Sequence, residues 1–386
     1  MVRAYAALVW NSCAQFEKHS RGSAVTVQWI WLGAIVVLVL ATLLPLSRIT
    51  AWWIRGLDFP RLQLSTLAAA LLCTGGVIVQ LHGFTALTLT GLVLCAGCII
   101  FHAWWIIPYT RLWPREVLDA DGATPCLRLL TANVLTSNRQ TERFLELVRE
   151  NDPDIFITLE SDSRWQDCLD TLEGDYPFSV KVPLDNLYGM HLYSRLSLSD
   201  TEIAYLVQED IPSIHAKVQL SDTVTLRLHV LHPAPPSPTE NEESTERDAE
   251  LVVVAQSVAE ESGPIVVTGD LNDVAWSTTT RLFRKISGLL DPRVGRGMFN
   301  TFHAEHKLLR WPLDHLYHSD HFTVSELRRL PAFGSDHFPL LVELCHQPVR
   351  GDTQEGLDDD AEDRELAQEK AAAEPVTVGD VPDPGR

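Results

Sequence analysis

The sequence predicts a few membrane-spanning helices followed by a layered α/β domain, with sheets inside and helices outside. Three observations carry that expectation. Asp, Glu, Lys and Arg are absent from Gly22 to Ser47 and again from Leu62 to Thr110. From Leu127 onward, short β-branched runs alternate with polar stretches of helical spacing. Charge is partitioned along the chain: residues 1–125 carry 8 basic and 5 acidic residues, 126–349 carry 19 and 34, and 350–386 carry 4 and 12. With 386 residues, 46% of them hydrophobic, and a net charge of −20, global disorder, a collagen-like chain and a small disulfide scaffold are excluded. A sequence-independent nucleic-acid binder is disfavoured as well, because phosphate contact needs clustered positive charge.

The apolar runs come first. A transmembrane helix needs roughly 20 apolar residues, so the first run (QWIWLGAIVVLVLATLLPL at its centre) spans once, over about 27–47. The second run is long enough for two spans and breaks at His82-Gly83, giving 64–81 and 87–108. Trp52, Trp53, Trp104 and Trp105 stand at the ends, where interfacial aromatics belong. A cleaved signal peptide fits worse, since the first run is too long and a polar tail, residues 1–25, precedes it. The expected chain is thus a multi-pass protein of the cell membrane. Basic residues number three in the N-tail (Arg3, Lys18, Arg21) and five on the opposite side (Arg48, Arg55, Arg61, Arg111, Arg115), which leans toward a cytoplasmic domain.

Residues 111–126 read as a linker, and 127–349 as the polar domain. LRLLTANVL is a strand; Thr141–Asn151 has helical spacing, with Phe144, Leu145 and Val148 on one face. Asp152-Pro153-Asp154 makes a turn before the buried strand IFITLE. MHLYSRL, IHAKVQL and TVTLRLHVLH follow as strands, Pro233–Ser244 as a loop, Glu246–Glu261 as a helix, and PIVVTGD as another buried strand. FTVSELRRL and PLLVELC complete a series that fits a layered sandwich. Residues 350–386, rich in Asp, Glu, Ala and Pro, read as a disordered acidic tail in which DDDAEDRELAQEKAAAE forms at most a transient helix. Of seven cysteines, Cys95 and Cys98 lie in an apolar run, where thiols pack as small hydrophobes. Residues 126–349 hold three, an odd number that argues against a full disulfide framework.

The chemistry lies at strand ends. Asn133 closes LLTAN, Glu160 closes IFITLE and His232 closes LHVLH; Asp270 and Asn272 follow PIVVTG. Asp314 sits in WPLDHLY, and Ser335-Asp336-His337 precedes FPLL. Carboxylates, amides and imidazoles delivered to one sheet edge are what a hard-cation hydrolase requires, because Mg²⁺ takes oxygen ligands and keeps several waters. A nearby carboxylate or imidazole then moves the proton.

As an ordered set, TANV, DIFITLE, YSRLSLS, LHVLHP, IVVTGDLND, WPLDHLYHS and GSDHFPL resemble the endonuclease/exonuclease/phosphatase superfamily across residues 127–344. The placing of spans before this domain is similar to a bacterial membrane branch that includes teicoplanin-resistance proteins. The resemblance implies a four-layer α/β sandwich, two packed β-sheets flanked by helices, and Mg²⁺ or Mn²⁺ as cofactor. It implies Glu160 as principal metal ligand, Asn133 as the amide assisting metal and phosphate, and Asp336 as a residue near the metal. Asp270 matches the residue that handles the water or leaving-group proton, and Asn272 the amide that positions it. His232 matches a phosphate contact, His337 the catalytic imidazole, and Asp314 the carboxylate that fixes its tautomer. The branch also implies an outward-facing domain, against the charge count.

His191 and His315 depart from the family pattern, and Glu240–Glu250 is acidic beside His232. The expected function is therefore membrane-anchored hydrolysis of a phosphate ester or lipid (pyro)phosphate, its partners the bilayer and a phosphorylated small-molecule or lipid substrate. A membrane-tethered nuclease and a catalytically inactive membrane scaffold are the alternatives. A zinc site among His303, His306, His315, His318 and His321 is disfavoured: strand alternation turns His318 away from His315 and His321.

Overall fold

A computed structural model describes residues 25–384; the remainder of the expected N-terminal tail, with Arg3, Lys18 and Arg21, lies outside them. The chain divides into two units. The first contains three helices long and apolar enough to cross a membrane: α1 (Val25–Leu46), α3 (Arg61–His82) and α4, whose span runs Ala86–Tyr109. Glycine sets how closely they pack. A Cβ at Gly75 or Gly91 would lie 2.5 or 2.3 Å from the Trp31 ring, and that ring is buried with Ile35, Ile78 and Cys95. Trp31 Nε1 donates to the Leu71 carbonyl at 2.9 Å, satisfying its polar edge. The break at Gly83 has φ 84°, which glycine adopts freely.

The second unit takes residues Ile49–Phe59 from between the first two spans, together with the chain from Ile107 onward. The short helix α2 (Trp52–Arg55) lies in that loop. Trp52 N donates to the Glu242 carbonyl, Ser244 N donates to the Thr50 carbonyl, both at 2.9 Å, and Trp276 Nε1 donates to Asp58 O at 3.0 Å. Within 26–110, which holds the three expected spans, the loop at residues 49–59 is built into the polar domain, the side on which the sequence also places it. The expected linker is equally built in: Glu116 accepts from Asp291 N at 2.8 Å and pairs with Arg284.

Among the described residues, eleven strands form two sheets. They are β1 (Cys126–Asn133), β2 (Ile155–Leu159), β3 (Phe178–Val182), β4 (Met190–Ser194), β5 (Leu198–Ala204), β6 (Ser213–Ser221), β7 (Val224–Leu231), β8 (Ile265–Asp270), β9 (Asp314–His318), β10 (Phe322–Arg329) and β11 (Leu340–His346). One sheet runs β10-β11-β1-β2-β4-β3, the other β5-β6-β7-β8-β9. Alternation along the strands makes the layers. Leu127 and Leu129 of β1 join Leu228, Val266 and Leu316 in the core between the sheets. Leu130 and Ala132 point to the opposite face, against Phe144, Val148 and Trp165. Those three belong to helices α5 (Thr141–Asn151) and α6 (Ser163–Leu169). On the far side, Val267 and Tyr317 pack with Leu251, Val254 and Phe283 of α7 (Thr245–Ala259) and α8 (Thr278–Ser287). The result is the expected four-layer α/β sandwich.

Two further expectations change. Composition makes residues 350–386 a disordered acidic tail, yet Ala361–Ala371 forms a helix, here called α10 after the short α9 (Pro348–Gly351). Ala367 is buried against Val252 and Leu282, and Val376 and Val381 join the core under α7. The acidic charges find cations on the domain: Asp363 pairs with Lys285 and Asp383 with Arg227, while Lys370 of the helix reaches Asp248 at 2.5 Å. An Asp360 capping box starts the helix. Composition alone hides such partners. Cys126 and Cys345, facing each other on β1 and β11, are joined by a disulfide, which leaves Cys168 free; the polar domain carries a single bridge rather than a framework.

Candidate active site

Topology explains why the singled-out residues meet. β1 and β2 run parallel, as do β7 and β8, so Asn133, Glu160, His232 and Asp270 all emerge at C-terminal strand ends. β9 and β11 run antiparallel to β8 and β1, so within each sheet their N-terminal ends, with Asp314 and the Ser335–His337 turn, lie at the end where β8 and β1 finish. Asp270 and Asp314 are direct register partners. Glu160, just beyond β2, has φ 55°, a left-handed conformation a glutamate rarely takes. Such strain persists where surroundings over-determine it, commonly at functional sites. Asn272 has φ 51° and tolerates it better.

The contacts form one chain. Asn133 Nδ2 donates to Glu160 Oε1 at 2.6 Å and to Asp270 Oδ2 at 3.2 Å. Its Oδ1 accepts from the Leu135 amide at 3.1 Å. With its amide so placed, Asn133 braces Glu160 through Nδ2. Asp270 Oδ1 accepts from Asn272 N at 2.9 Å, and Asn272 Nδ2 donates to the Pro233 carbonyl at 2.9 Å. His337 Nδ1 lies 2.8 Å from Asp314 Oδ2, and its Nε2 lies 3.5 Å from Asp270 Oδ2. Ser335 Oγ ties the turn to β1 by donating to Asn133 O at 2.8 Å. Asp336 is half-buried and its carbonyl accepts from Ala304 N at 2.6 Å.

Electrostatics sorts the groups. Burial alone would lower the His337 pKa, but Asp314 and Asp270 outweigh it and push the imidazole up to about 10. Burial would raise Asp270, yet His337, His232, the Asn272 amide and Asn133 together hold it below the usual carboxylate value. Burial pushes His232 down to about 4, so it is neutral. Burial also raises Glu160 to about 7, against the pull of Asn133 and His337. Three buried atoms in this cluster have no hydrogen-bond partner among the described residues: Glu160 Oε2, Asp314 Oδ1 and His232 Nδ1. Native interiors rarely leave polar atoms so.

The eight candidates singled out in the sequence thus come from strand ends of both sheets, and Asn133, Glu160, Asp270, Asp314 and His337 are joined through direct polar contacts. Sequence reasoning missed a supporting loop. Thr301 Oγ1 accepts the amides of Leu313 and Asp314, at 3.3 and 3.1 Å, and the Phe302 ring stands 5.0 Å from that of His337. No spacing or periodicity marks them, since they act from a loop. The five histidines considered for zinc do not gather. His315 is buried against Arg293 and Tyr317, while only His303 and His306, with Glu305, come within mutual reach on the surface.

A family model described as the endonuclease/exonuclease/phosphatase family matches residues 130–337. No curated protein matches the sequence. Among solved structures, the human Nocturnin catalytic domain is similar at 17% identity and TM-score 0.48, covering 60% of this chain and 98% of that one. A humanised TDP2 from D. rerio matches at 15% and 0.46, covering 57% and 99%. A mannosyl-6-phosphatase from Bacteroides thetaiotaomicron matches at 19% and 0.44, covering 56% and 99%.

Proposed function

The chain belongs to the endonuclease/exonuclease/phosphatase family, and from that premise we propose that it is a membrane-anchored phosphohydrolase. It cleaves a phosphate ester or lipid (pyro)phosphate by direct attack of water. The observation that carries this reading is the open carboxylate–imidazole cluster, in which Asp314 and Asp270 flank His337 and Glu160 Oε2 is unpartnered in the interior.

Members of this family are typically Mg²⁺-dependent phosphoester hydrolases. The residues fit such an ion: the unsatisfied donor is a carboxylate oxygen, and hard cations take oxygen ligands. Glu160 would hold it, with Asp336 nearby and Asn133 keeping Glu160 in place. When bound, a divalent cation polarises a phosphoryl oxygen and stabilises charge on the attacking or leaving oxygen. The chain's own residues do the rest. Asp270, oriented by the Asn272 amide and Asn133, accepts the proton of the attacking water. His337 is favoured in its protonated form by Asp314 and Asp270, which outweigh burial. It presents positive charge where negative charge grows, steadied by Asp314 at Nδ1. Neutral His232 lies beside Asp270 to contact a phosphoryl oxygen.

Three long apolar helices support anchoring in a bilayer. The Cys126–Cys345 disulfide supports a domain on the outer, oxidising side, and it outweighs a difference of two basic residues. The test uses the full chain in detergent micelles with Mg²⁺, assayed against a lipid pyrophosphate, a choline phospholipid and a plasmid. Phosphate or headgroup release from a lipid, lost in Glu160→Gln, is the expected result. Plasmid nicking alone contradicts the reading in favour of a nuclease.

A further inference from the structure

The end of the last apolar span is fixed to the polar domain. Gly295 N donates to the Pro108 carbonyl at 2.8 Å, and Tyr109 Oη donates to Ala275 O at 2.6 Å. Gly295 has φ 74°, and a Cβ there would lie 2.6 Å from Pro114 O and from Arg115 Cα. Glycine thus lets the chain that follows the span press onto this loop. The two stretches line a cavity of about 530 Å³, a size common among small-molecule sites. Its wall is formed by Arg111, Arg115 and Arg296 beside apolar Trp113, Phe299 and Leu327, with no carboxylate among the described lining residues. All of them belong to the second unit. Just outside the wall, Asp119 pairs with Arg115 and, at 2.7 Å, with Arg296. Arg296 Nη2 also donates to Val117 O at 2.8 Å, which presets its fork. Arg111 has no ion-pair or hydrogen-bond partner among the described residues. Three cations against one carboxylate, in a chain of net charge −20, make a local seat for an anion. Its place along the chain says which anion. Arg111 follows the span, which ends at Tyr109, by two residues, and a residue advances the chain by at most about 3.6 Å. That is headgroup depth. Leu112 and Trp113 are 85% and 41% exposed, as suits residues that meet the membrane interface.

We propose that this cavity seats the headgroup of an anionic phospholipid from the leaflet on the domain's side. Arg111, Arg115 and Arg296 take the phosphate oxygens, to which planar guanidinium forks are suited. Trp113, Phe299 and Leu327 receive the glycerol and the start of the acyl chains. The lipid is a bound partner and not a substrate, since none of the eight residues of the reacting cluster lines the cavity. It holds the exit of the last span and the loop at Gly295 together at the membrane surface. The inference rests on the anchoring part of the proposed function and is independent of hydrolysis.

The test takes the full chain in maltoside micelles, with divalent cations chelated so that no lipid is hydrolysed. Native mass spectrometry reads the dissociation constant of the first bound lipid, for phosphatidylglycerol and for phosphatidylcholine with identical acyl chains. Two arginines facing an anionic headgroup carry roughly ten- to thirtyfold in affinity. The wild type should prefer phosphatidylglycerol by that factor, and Arg111→Gln/Arg115→Gln should erase most of the preference. Arg111→Lys/Arg115→Lys should keep part of it. Arg139→Gln/Arg149→Gln, which removes two exposed arginines outside the cavity, should leave it unchanged. Equal affinity of the wild type for both lipids, or equal losses in the two Gln double variants, overturns the proposal. So does displacement of the lipid by inorganic phosphate, which would make the cavity a site for a soluble anion. Glu160→Gln should bind phosphatidylglycerol like the wild type, so loss of turnover and loss of lipid binding are read apart. A full chain recovered from lysed cells without detergent would sink the anchoring reading, and this inference with it.

Discussion

Strand β9 has a buried polar cluster on each of its two faces, and the two differ in one respect. On one face Asp314 meets His337 and Asp270; on the other His315 meets Arg293, Asp291 and Tyr317. The second cluster is closed. Both Asp291 oxygens accept from Arg293 at 2.9 Å, and Arg293 Nη1 reaches the Asp314 carbonyl at 3.3 Å. His315 Nε2 donates to Asp273 O at 2.9 Å while its Nδ1 accepts. Burial and Arg293 push His315 down to about 3, which suits an imidazole that accepts at Nδ1. The first cluster leaves Asp314 Oδ1 and Glu160 Oε2 open, and it holds its histidine charged. Equal burial with unequal satisfaction separates a network that holds the fold from one that waits for a substrate and an ion.

Mutations should break the two faces differently. The largest loss of stability is expected from Asp291→Ala, which strands the Arg293 charge in the interior and should cost about 3–5 kcal/mol in denaturant unfolding. Turnover per folded molecule should change far less. Glu160→Gln should reverse the pattern: kcat falls by roughly 10²–10³-fold or more, while the far-UV spectrum and unfolding midpoint stay near wild type.

The pH dependence sharpens the contrast. His337 has a folded pKa of about 10 against an ordinary 6.5, so its contribution to stability is full below pH 6.5 and is lost as pH rises through 10. Wild-type unfolding midpoints should therefore drop more between pH 7 and 10 than those of His337→Asn. Parallel curves would show that the imidazolium is not held as described. The smallest effect is expected at His315→Ala, which removes one acceptor from the closed network and should cost about 1–3 kcal/mol without altering the Mg²⁺ dependence of turnover.

The chain itself announces the open face better than the closed one. Glu160, Asp270 and His337 each end or precede a buried strand, and polar residues at such places are visible as breaks in an apolar run. Their meeting follows from parallel pairing of β1 with β2 and of β7 with β8. The closed face is invisible in sequence: His315 reads as a possible zinc ligand until Arg293, in a loop 22 residues earlier, is found beside it. The C-terminal helix reads as a solvated tail because its acidic residues reveal nothing of Lys285 and Arg227, which lie far back in the chain.

The most direct test of the open-face account is the thermal unfolding of the full chain, with and without Mg²⁺, in wild type and Glu160→Gln. A ligand at a hundred times its dissociation constant stabilises by about 2.7 kcal/mol. Saturating Mg²⁺ should raise the wild-type midpoint by several degrees and leave the variant unmoved. An equal rise in both proteins, or none in the wild type, would contradict the claim that Glu160 is kept unsatisfied for a cation.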